Sequence, residues 1–297
     1  SGACGQCKAE LISGEFEMGK HIDKAISEEE KAQGKVLLCC TTAKSDLKIN
    51  VPGFNQNALP VRTLPARIEN IEIKHDVALL KLALPKAPPF AFYAGQYIDL
   101  LLPGNISRSY SIANSPDQEG ILELHIRKRE NGVCSEMIFG AEPKIKEKGI
   151  VRVKGPLGAF TLQKDSDKPI VLLATGTGYA PIRSILLDLI HQNSERQVHF
   201  YWGARQQEDL YALEEAEALI GRLKNAKFSP VLSKPDSDWK GENGYVQNIA
   251  AQNYPDLSQY EVYACGSPAM TESAQSLLTQ KCALPEDAFF CDAFSPA

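Results

Sequence analysis

The spacing of apolar and polar positions changes once along the chain. Between residues 63 and 162, apolar residues recur at every second position in short runs. RIENIEIKHDVALLKLAL is the longest, and Pro85, Pro88 and Pro89 follow it. PFAFYAGQYIDLLLP, RSYSIAN, ILELHIRKR and VRVKGPLGAFTL come next, with Gly95 and Gln96 at one strand entry and a turn at Glu130-Asn131-Gly132. Alternation of this kind buries one face of each strand. Several short strands with turn residues between them predict a small antiparallel barrel. A single short helical stretch, from Ser135, interrupts it.

From 163 onward the pattern differs. KPIVLLATG is apolar along its whole run, as strands covered on both faces are. A helical stretch, GTGYAPIRSILLDLIHQ, follows it. Strands QVHFYWG, FSPVLS, EVYACG and AFFCDAF then alternate with helices LYALEEAEALIGRLKN, GYVQNIAAQ and AMTESAQSLLTQ. Strands alternating with helices predict a doubly wound, parallel-sheet α/β domain, with ligands held at the carboxyl ends of its strands. The first 52 residues carry a weaker pattern, with a strand-like VLL before Cys39 and Cys40, and GFNQNALPVR reads as a linker. The expected division is therefore 1–52, a linker at 53–62, a barrel at 63–162 and an α/β domain at 163–297.

Composition narrows the function without choosing it. The 297 residues are 43% hydrophobic and 23% charged, ordinary values for a globular chain. A net charge of −5 argues against nucleic acid as a partner. No apolar run approaches the ~20 residues of a membrane span. Eight cysteines include a C-x2-C pair at Cys4 and Cys7. In a chain of this size that favours metal ligation in a reducing compartment, the cytoplasm, over a disulfide framework.

Four stretches carry candidate chemistry. In Arg108-Ser109-Tyr110-Ser111, strand alternation puts Arg108 and Tyr110 on one face. The guanidinium suits forked bonds to a diphosphate, the phenol ring suits the face of a flavin, and Ser111 offers a short donor to a ring nitrogen. Alone, the stretch reads equally well as a half-buried strand with a core tyrosine. Gly132-Val133-Cys134-Ser135 opens a helix that would aim N–H groups and the Ser135 hydroxyl at the same diphosphate, or simply cap that helix at Ile138. Thr175-Gly176-Thr177-Gly178-Tyr179-Ala180-Pro181 is a G-x-G-x-x-P loop that lets backbone amides approach a second diphosphate, with Pro181 suited to a first helical turn. Cys265-Gly266-Ser267-Pro268 ends a strand at the same sheet edge and offers a compact surface for a nicotinamide, or ordinary strand packing.

The N-terminal cysteines match the second and third positions of the plant-type iron–sulfur spacing. The first position would precede Ser1, so the chain as given carries three of the four ligands. A zinc site would need four clustered Cys or His ligands, and no histidine neighbours these cysteines.

RSYSIAN, the Gly132-x-x-Ser135 turn, GPLG at 155–158, LLATGTGYAPIRSIL, YWGAR, VYACGSPAM and DAFSPA occur in order across nearly the whole chain. Together they resemble the ferredoxin–NADP⁺ reductase superfamily. GKVLLCCTTAKSDLKINVPG resembles the end of the 2Fe-2S ferredoxin module fused to many such reductases. Within the superfamily the chain is similar to the CDP-6-deoxy-Δ3,4-glucoseen reductase group and to reductase components of bacterial oxygenases.

The resemblance implies a truncated β-grasp ferredoxin module, an FAD barrel and a nicotinamide nucleotide domain. Arg108, Ser109, Tyr110 and Ser111 would bind FAD, with His125, Ile126 and Arg127 lining it and Gly132, Val133 and Ser135 at its diphosphate. Thr175, Gly176, Thr177, Gly178, Arg205, Gly266 and Pro268 would face NADH, with NADPH left open by Ser233, Lys234 and Tyr245. Ser111 and Cys265 would sit by the hydride path, and Phe294 occupies a position often aromatic in relatives. Cys4, Cys7 and Cys39 would hold the cluster, with Cys40 as the alternative to Cys39. The implied partner is an electron-acceptor protein, a dehydrase acting on a CDP-bound 4-keto-6-deoxy sugar or an oxygenase component. A free-flavin reductase and an electron carrier with an inactive flavin domain are the rivals.

Overall fold

The computed structural model describes residues 2, 5, 7–51, 59–163 and 165–294. Cys4, most of the 53–62 linker and the final three residues lie outside them. The chain divides into two compact units, Ser1–Ala58 and Leu59–Ala297.

In the first unit, β1 (Lys8–Ser13) and β2 (Phe16–Met18) precede helix α1 (Glu28–Ala32), and β3 (Lys35–Leu37), β4 (Thr41–Ala43) and β5 (Lys48–Asn50) follow it. β1 lies between β3 and β5, and β2 pairs with β4. Helix α1 starts at a capping box, Ser27 and Glu30 each satisfying the other's backbone N–H. Ala25, Ile26 and Leu37 form a small core, with Cys7, Met18 and Cys40 against it.

The second unit opens with an antiparallel barrel. Its strands are β6 (Arg62–Lys74), β7 (Val77–Ala83), β8 (Tyr97–Leu102), β9 (Ile106–Ser111), β10 (Ile121–Arg127) and β11 (Ile150–Leu157), with helix α2 (Val133–Phe139) between the last two. The order is β10-β7-β6-β11-β8-β9. An Ile112–Leu124 bridge joins the two end strands and closes the sheet. The inward alternate residues, such as Leu80, Leu82, Ile98 and Leu100, are fully buried, each contributing roughly 1.5–3 kcal/mol. Helix α2 starts two residues earlier than expected, with Gly132 as its N-cap. Ser135 is therefore inside the first turn and is not a cap. Its hydroxyl accepts the Arg129 N–H at 2.8 Å.

The remainder is a parallel sheet wrapped by helices: β12 (Ile170–Thr175), α3 (Tyr179–His191), β13 (Val198–Ala204), α4 (Leu213–Ile220), β14 (Ala226–Leu232), β15 (Glu242–Asn243), α5 (Val246–Asn253), β16 (Glu261–Gly266), α6 (Pro268–Lys281) and β17 (Phe289–Ala293). Its order is β15-β14-β13-β12-β16-β17, so the direction of winding reverses between β12 and β16. The continuous apolar runs are explained by both faces being covered. Ile170, Leu172 and Ala174 pack with α3 and α4, while Val171 and Leu173 pack with α5 and α6. Val77, Ala94 and Phe160 of the barrel side join the first of these cores.

Candidate functional site

On β9, Arg108 and Tyr110 lie on one partly exposed face, and Ser109 on the other. The Ser109 hydroxyl donates to Asp99 at 2.7 Å, so that side chain is engaged by the neighbouring strand. The Tyr110 phenol lies beside the Cys134 thiol, and burial, with that thiol next to it, pushes the phenol far above its ordinary range. Arg108 shares the electrostatic neighbourhood of both and donates to the Ser107 carbonyl at 2.8 Å. Strand β9 and helix α2 thus bring the arginine, the aromatic ring and the Gly132–Ser135 turn together. Val133 is exposed beside them. Ser111, at the strand end, is buried and paired with Tyr97 across the ladder.

The His125 and Ile126 side chains are both buried. The Ile126 side chain is in the barrel core. The His125 ring is enclosed at the seam between barrel and sheet, bonded to the Tyr211 hydroxyl at 2.8 Å and to Glu123 at 3.1 Å. Burial pushes its pKa below the ordinary histidine value despite Glu123. A polar residue on a buried strand face reads alike for a pocket and for a seam. Arg127 does reach a groove. Its Nη2 donates to the Asp209 carbonyl at 3.3 Å, and its Nε lies 3.3 Å from Asp76 without alignment for a hydrogen bond.

That groove, about 780 Å³, runs over the carboxyl ends of β12, β13 and β16. Thr175, Gly176 and Thr177 form one wall, Gly266, Pro268 and Met270 another, and Arg205, Ser233 and Tyr245 the far end, with Arg127, Arg129 and Phe294 at its rim. Residues 176–178 make one tight turn before α3. The Trp202 indole N–H donates to the Gly176 carbonyl at 3.0 Å, and the Tyr179 ring stacks on Trp202 at 4.3 Å, which pins the loop from below. Gln247 is buried; its amide N–H donates to Ser273 while its Oε1 has no partner. An unpaired buried acceptor in a groove walled by glycines fits a ligand that brings hydroxyl donors, such as a nucleotide ribose. Two other hollows, of about 640 and 730 Å³, contain none of the motif residues.

Gly178 and Cys265 do not line the groove; both are buried beneath it. Burial pushes the Cys265 thiol well up, with Asp292 and Cys291 adding to it, so the group is a neutral thiol. Asp292 pairs with Cys265 across β16 and β17, and burial raises its carboxyl to about 6. Its charge also reaches Tyr97, the ladder partner of Ser111. Asp292, Tyr97, Arg129 and Gln247 were not expected from sequence, because nothing local marks them.

In the first unit, the Gly2 N–H donates to Cys39 Sγ at 3.2 Å, and the Cys39 N–H donates to Cys7 Sγ at 3.4 Å. Burial opposes the Cys39 thiolate, but the bonds from Cys7 and Gly2 hold its pKa below the ordinary thiol value. Cys40 turns the other way: its S–H points to the Leu37 carbonyl at 3.6 Å, and burial raises it. Cys7 and Cys39 thus face one another with N–H donors on their sulfurs, a donor set suited to an iron–sulfur cluster. No disulfide joins the described cysteines.

Comparison with known proteins decides the family. Residues 1–44 match the 2Fe-2S iron-sulfur cluster binding domain, residues 66–162 the oxidoreductase FAD-binding domain and residues 172–276 the oxidoreductase NAD-binding domain. The chain is 42% identical over 298 aligned positions to the CDP-6-deoxy-L-threo-D-glycero-4-hexulose-3-dehydrase reductase of Yersinia pestis, covering 100% of this chain and 88% of that one. It belongs to the ferredoxin-fused branch of the ferredoxin–NADP⁺ reductase superfamily.

The propane 2-monooxygenase reductase component of Rhodococcus jostii is 33% identical, over 100% of this chain and 82% of that one. Among solved structures, the Amycolatopsis cytochrome P450 reductase GcoB superposes with a TM-score of 0.83 at 30% identity, covering 99% of this chain and 89% of that one. This superfamily member is an oxidoreductase that takes electrons from NADH through FAD and a 2Fe-2S cluster to an acceptor protein. Among its described residues, no helix is long and apolar enough to cross a membrane.

Proposed function

We propose that the acceptor is a CDP-hexulose 3-dehydrase, so that the chain is the NADH-linked electron donor of deoxysugar synthesis in the cytoplasm. The observation that carries this reading is the 42% identity over the whole chain to the Yersinia pestis protein, whose name states that partner. Bound flavin supplies the chemistry of taking two electrons together and releasing them singly. The chain's own residues hold and aim. Arg108 grips the flavin diphosphate together with the amides at the start of α2. Tyr110 covers the ring and is itself fixed by Cys134. Ser111 donates to the ring edge, where a fixed dipole costs no reorganisation during transfer.

The glycine loop and the start of α3 hold the dinucleotide diphosphate. Gln247 accepts from a ribose hydroxyl. Cys265 supports the floor as a neutral thiol and is not a nucleophile. Cys7 and Cys39, with Cys4, hold the cluster. Reduction of purified protein by NADH and by NADPH, followed by turnover with a CDP-hexulose dehydrase or an oxygenase component, tests the proposal. Turnover only with the oxygenase would overturn the choice of acceptor. In the same preparation Arg108→Ala should carry less than about half the wild-type flavin; full flavin content would remove Arg108 from the diphosphate site.

A further inference from the structure

The flavin strand and the nucleotide loop belong to different layers, yet one side chain joins them. Arg183 stands on α3, which begins directly after the Gly176–Gly178 turn. Its Nη1 donates to the Ala113 carbonyl at 2.8 Å, two residues beyond Ser111. The next residue, Ser184, is fully buried, and its hydroxyl donates to the Asn114 carbonyl at 2.7 Å. A helix that starts at one cofactor's loop is therefore bolted to the end of the segment that holds the other.

The bolt is braced from two further elements. Arg183 Nε and Nη2 reach Glu215 of α4 at 2.9 and 2.8 Å, and Nη1 lies 3.5 Å from Glu123 of β10. Glu123 also donates its backbone N–H to Asn114 Oδ1 at 2.9 Å and carries His125 on its carboxylate. His125 in turn bonds to Tyr211, so the network crosses the seam twice. The Arg183 side chain is 13% exposed. Burial opposes its charge, but Glu123 and Glu215 hold it protonated.

Stability alone does not account for such a group. Buried ion pairs generally give little net stability over apolar packing, and Val77, Ala94 and Phe160 already supply apolar contact at this seam. Directional bonds to two consecutive carbonyls fix position instead. We propose that Arg183, assisted by Ser184, is a positioning residue that sets the distance between flavin and nicotinamide while touching neither. The inference rests on the reading that β9 holds the flavin and that the glycine loop holds the nucleotide. Hydride transfer is sensitive to such placement, since a shift of about 1 Å can cost on the order of a hundredfold in rate.

The test compares Arg183→Met, Arg183→Lys and Ser184→Ala holoenzymes. Four quantities are read: FAD content, KM for NADH, rapid-mixing flavin reduction with its long-wavelength charge-transfer absorbance, and amide hydrogen exchange in segments 108–115 and 176–186. Arg183→Met should keep its flavin and KM, lose about tenfold or more in reduction rate, weaken the charge-transfer absorbance and exchange faster in both segments. Arg183→Lys should recover part of each. An Arg183→Met enzyme with wild-type rate, absorbance and exchange would overturn the proposal. If that variant fails to fold, Ser184→Ala decides, because it removes one oxygen only: slower reduction with faster exchange supports the proposal and wild-type behaviour overturns it. Wild-type protein that holds FAD but is not reduced by NADH would instead overturn the underlying site reading.

Discussion

Gly178 rests directly on the main chain of Cys265: a Cβ added at 178 would overlap the Cys265 carbonyl oxygen and lie 2.7 Å from its carbon. Both groups are backbone, so neither can swing aside. Gly178 has an ordinary helical φ of −57°, so the demand is for space and not for conformation. Gly178→Ala should therefore lower stability by about 2 kcal/mol and raise the KM for NADH. Gly176 is the reverse case, with φ +55° and no heavy atom nearer than 3.5 Å to an added Cβ. Gly176→Ala should cost about 1 kcal/mol through left-handed backbone alone. Thermal melts and NADH titrations of the two variants check the contrast.

Cys265 sits beneath that contact as a buried neutral thiol. It has no ionisation to contribute at working pH. Cys265→Ala should keep FAD, slow flavin reduction roughly tenfold, or about 1.4 kcal/mol in barrier, and leave the shape of the pH–rate profile unchanged. A profile that loses one ionisation in the variant would show the thiol to be a titrating participant.

These residues also show what the chain reveals before folding. The Arg108–Tyr110 pairing was legible because side chains alternate along a strand, and that rule needs no tertiary information. The parallel sheet was legible from Ile170 to Ala174, since only strands covered on both faces stay apolar throughout. His125 is ambiguous in the sequence because burial at a seam and burial in a pocket demand the same residue type. Arg183 could not be found, since its carbonyl partner lies 70 residues away. Asp292 was missed for the same reason: its meaning depends on Cys265, its neighbour across the sheet, and on Tyr97 of the barrel, which only the folded chain brings near it.

Asp292 makes stability depend on pH in an uncommon direction. Burial raises its carboxyl from 3.8 to about 6. Between about pH 4 and 6 the folded protein holds more protons than the unfolded chain, so raising the pH through that window removes stability, by at most about 3 kcal/mol. Asp292→Asn should gain melting temperature relative to wild type at pH 8 and lose that advantage at pH 4. An equal difference at both values would mean that the carboxyl titrates normally.

Cys39 and Cys40 are adjacent in sequence and opposite in environment. The Cys39 sulfur accepts an N–H from Gly2 and lies beside Cys7, the arrangement that favours a thiolate ligand. The Cys40 sulfur faces the Leu37 carbonyl and packs against Ala25, Ile26 and Leu37, where burial keeps its proton on. Cys39→Ser should remove the iron–sulfur absorbance while the flavin still bleaches with NADH, because the flavin is held in the other unit. Cys40→Ser should keep the cluster and melt lower, since it places a more polar atom against an apolar core. Visible spectra and iron content of the two proteins separate the assignments. A cluster retained in Cys39→Ser and lost in Cys40→Ser would reverse them and would require the 38–40 turn to rotate when metal binds.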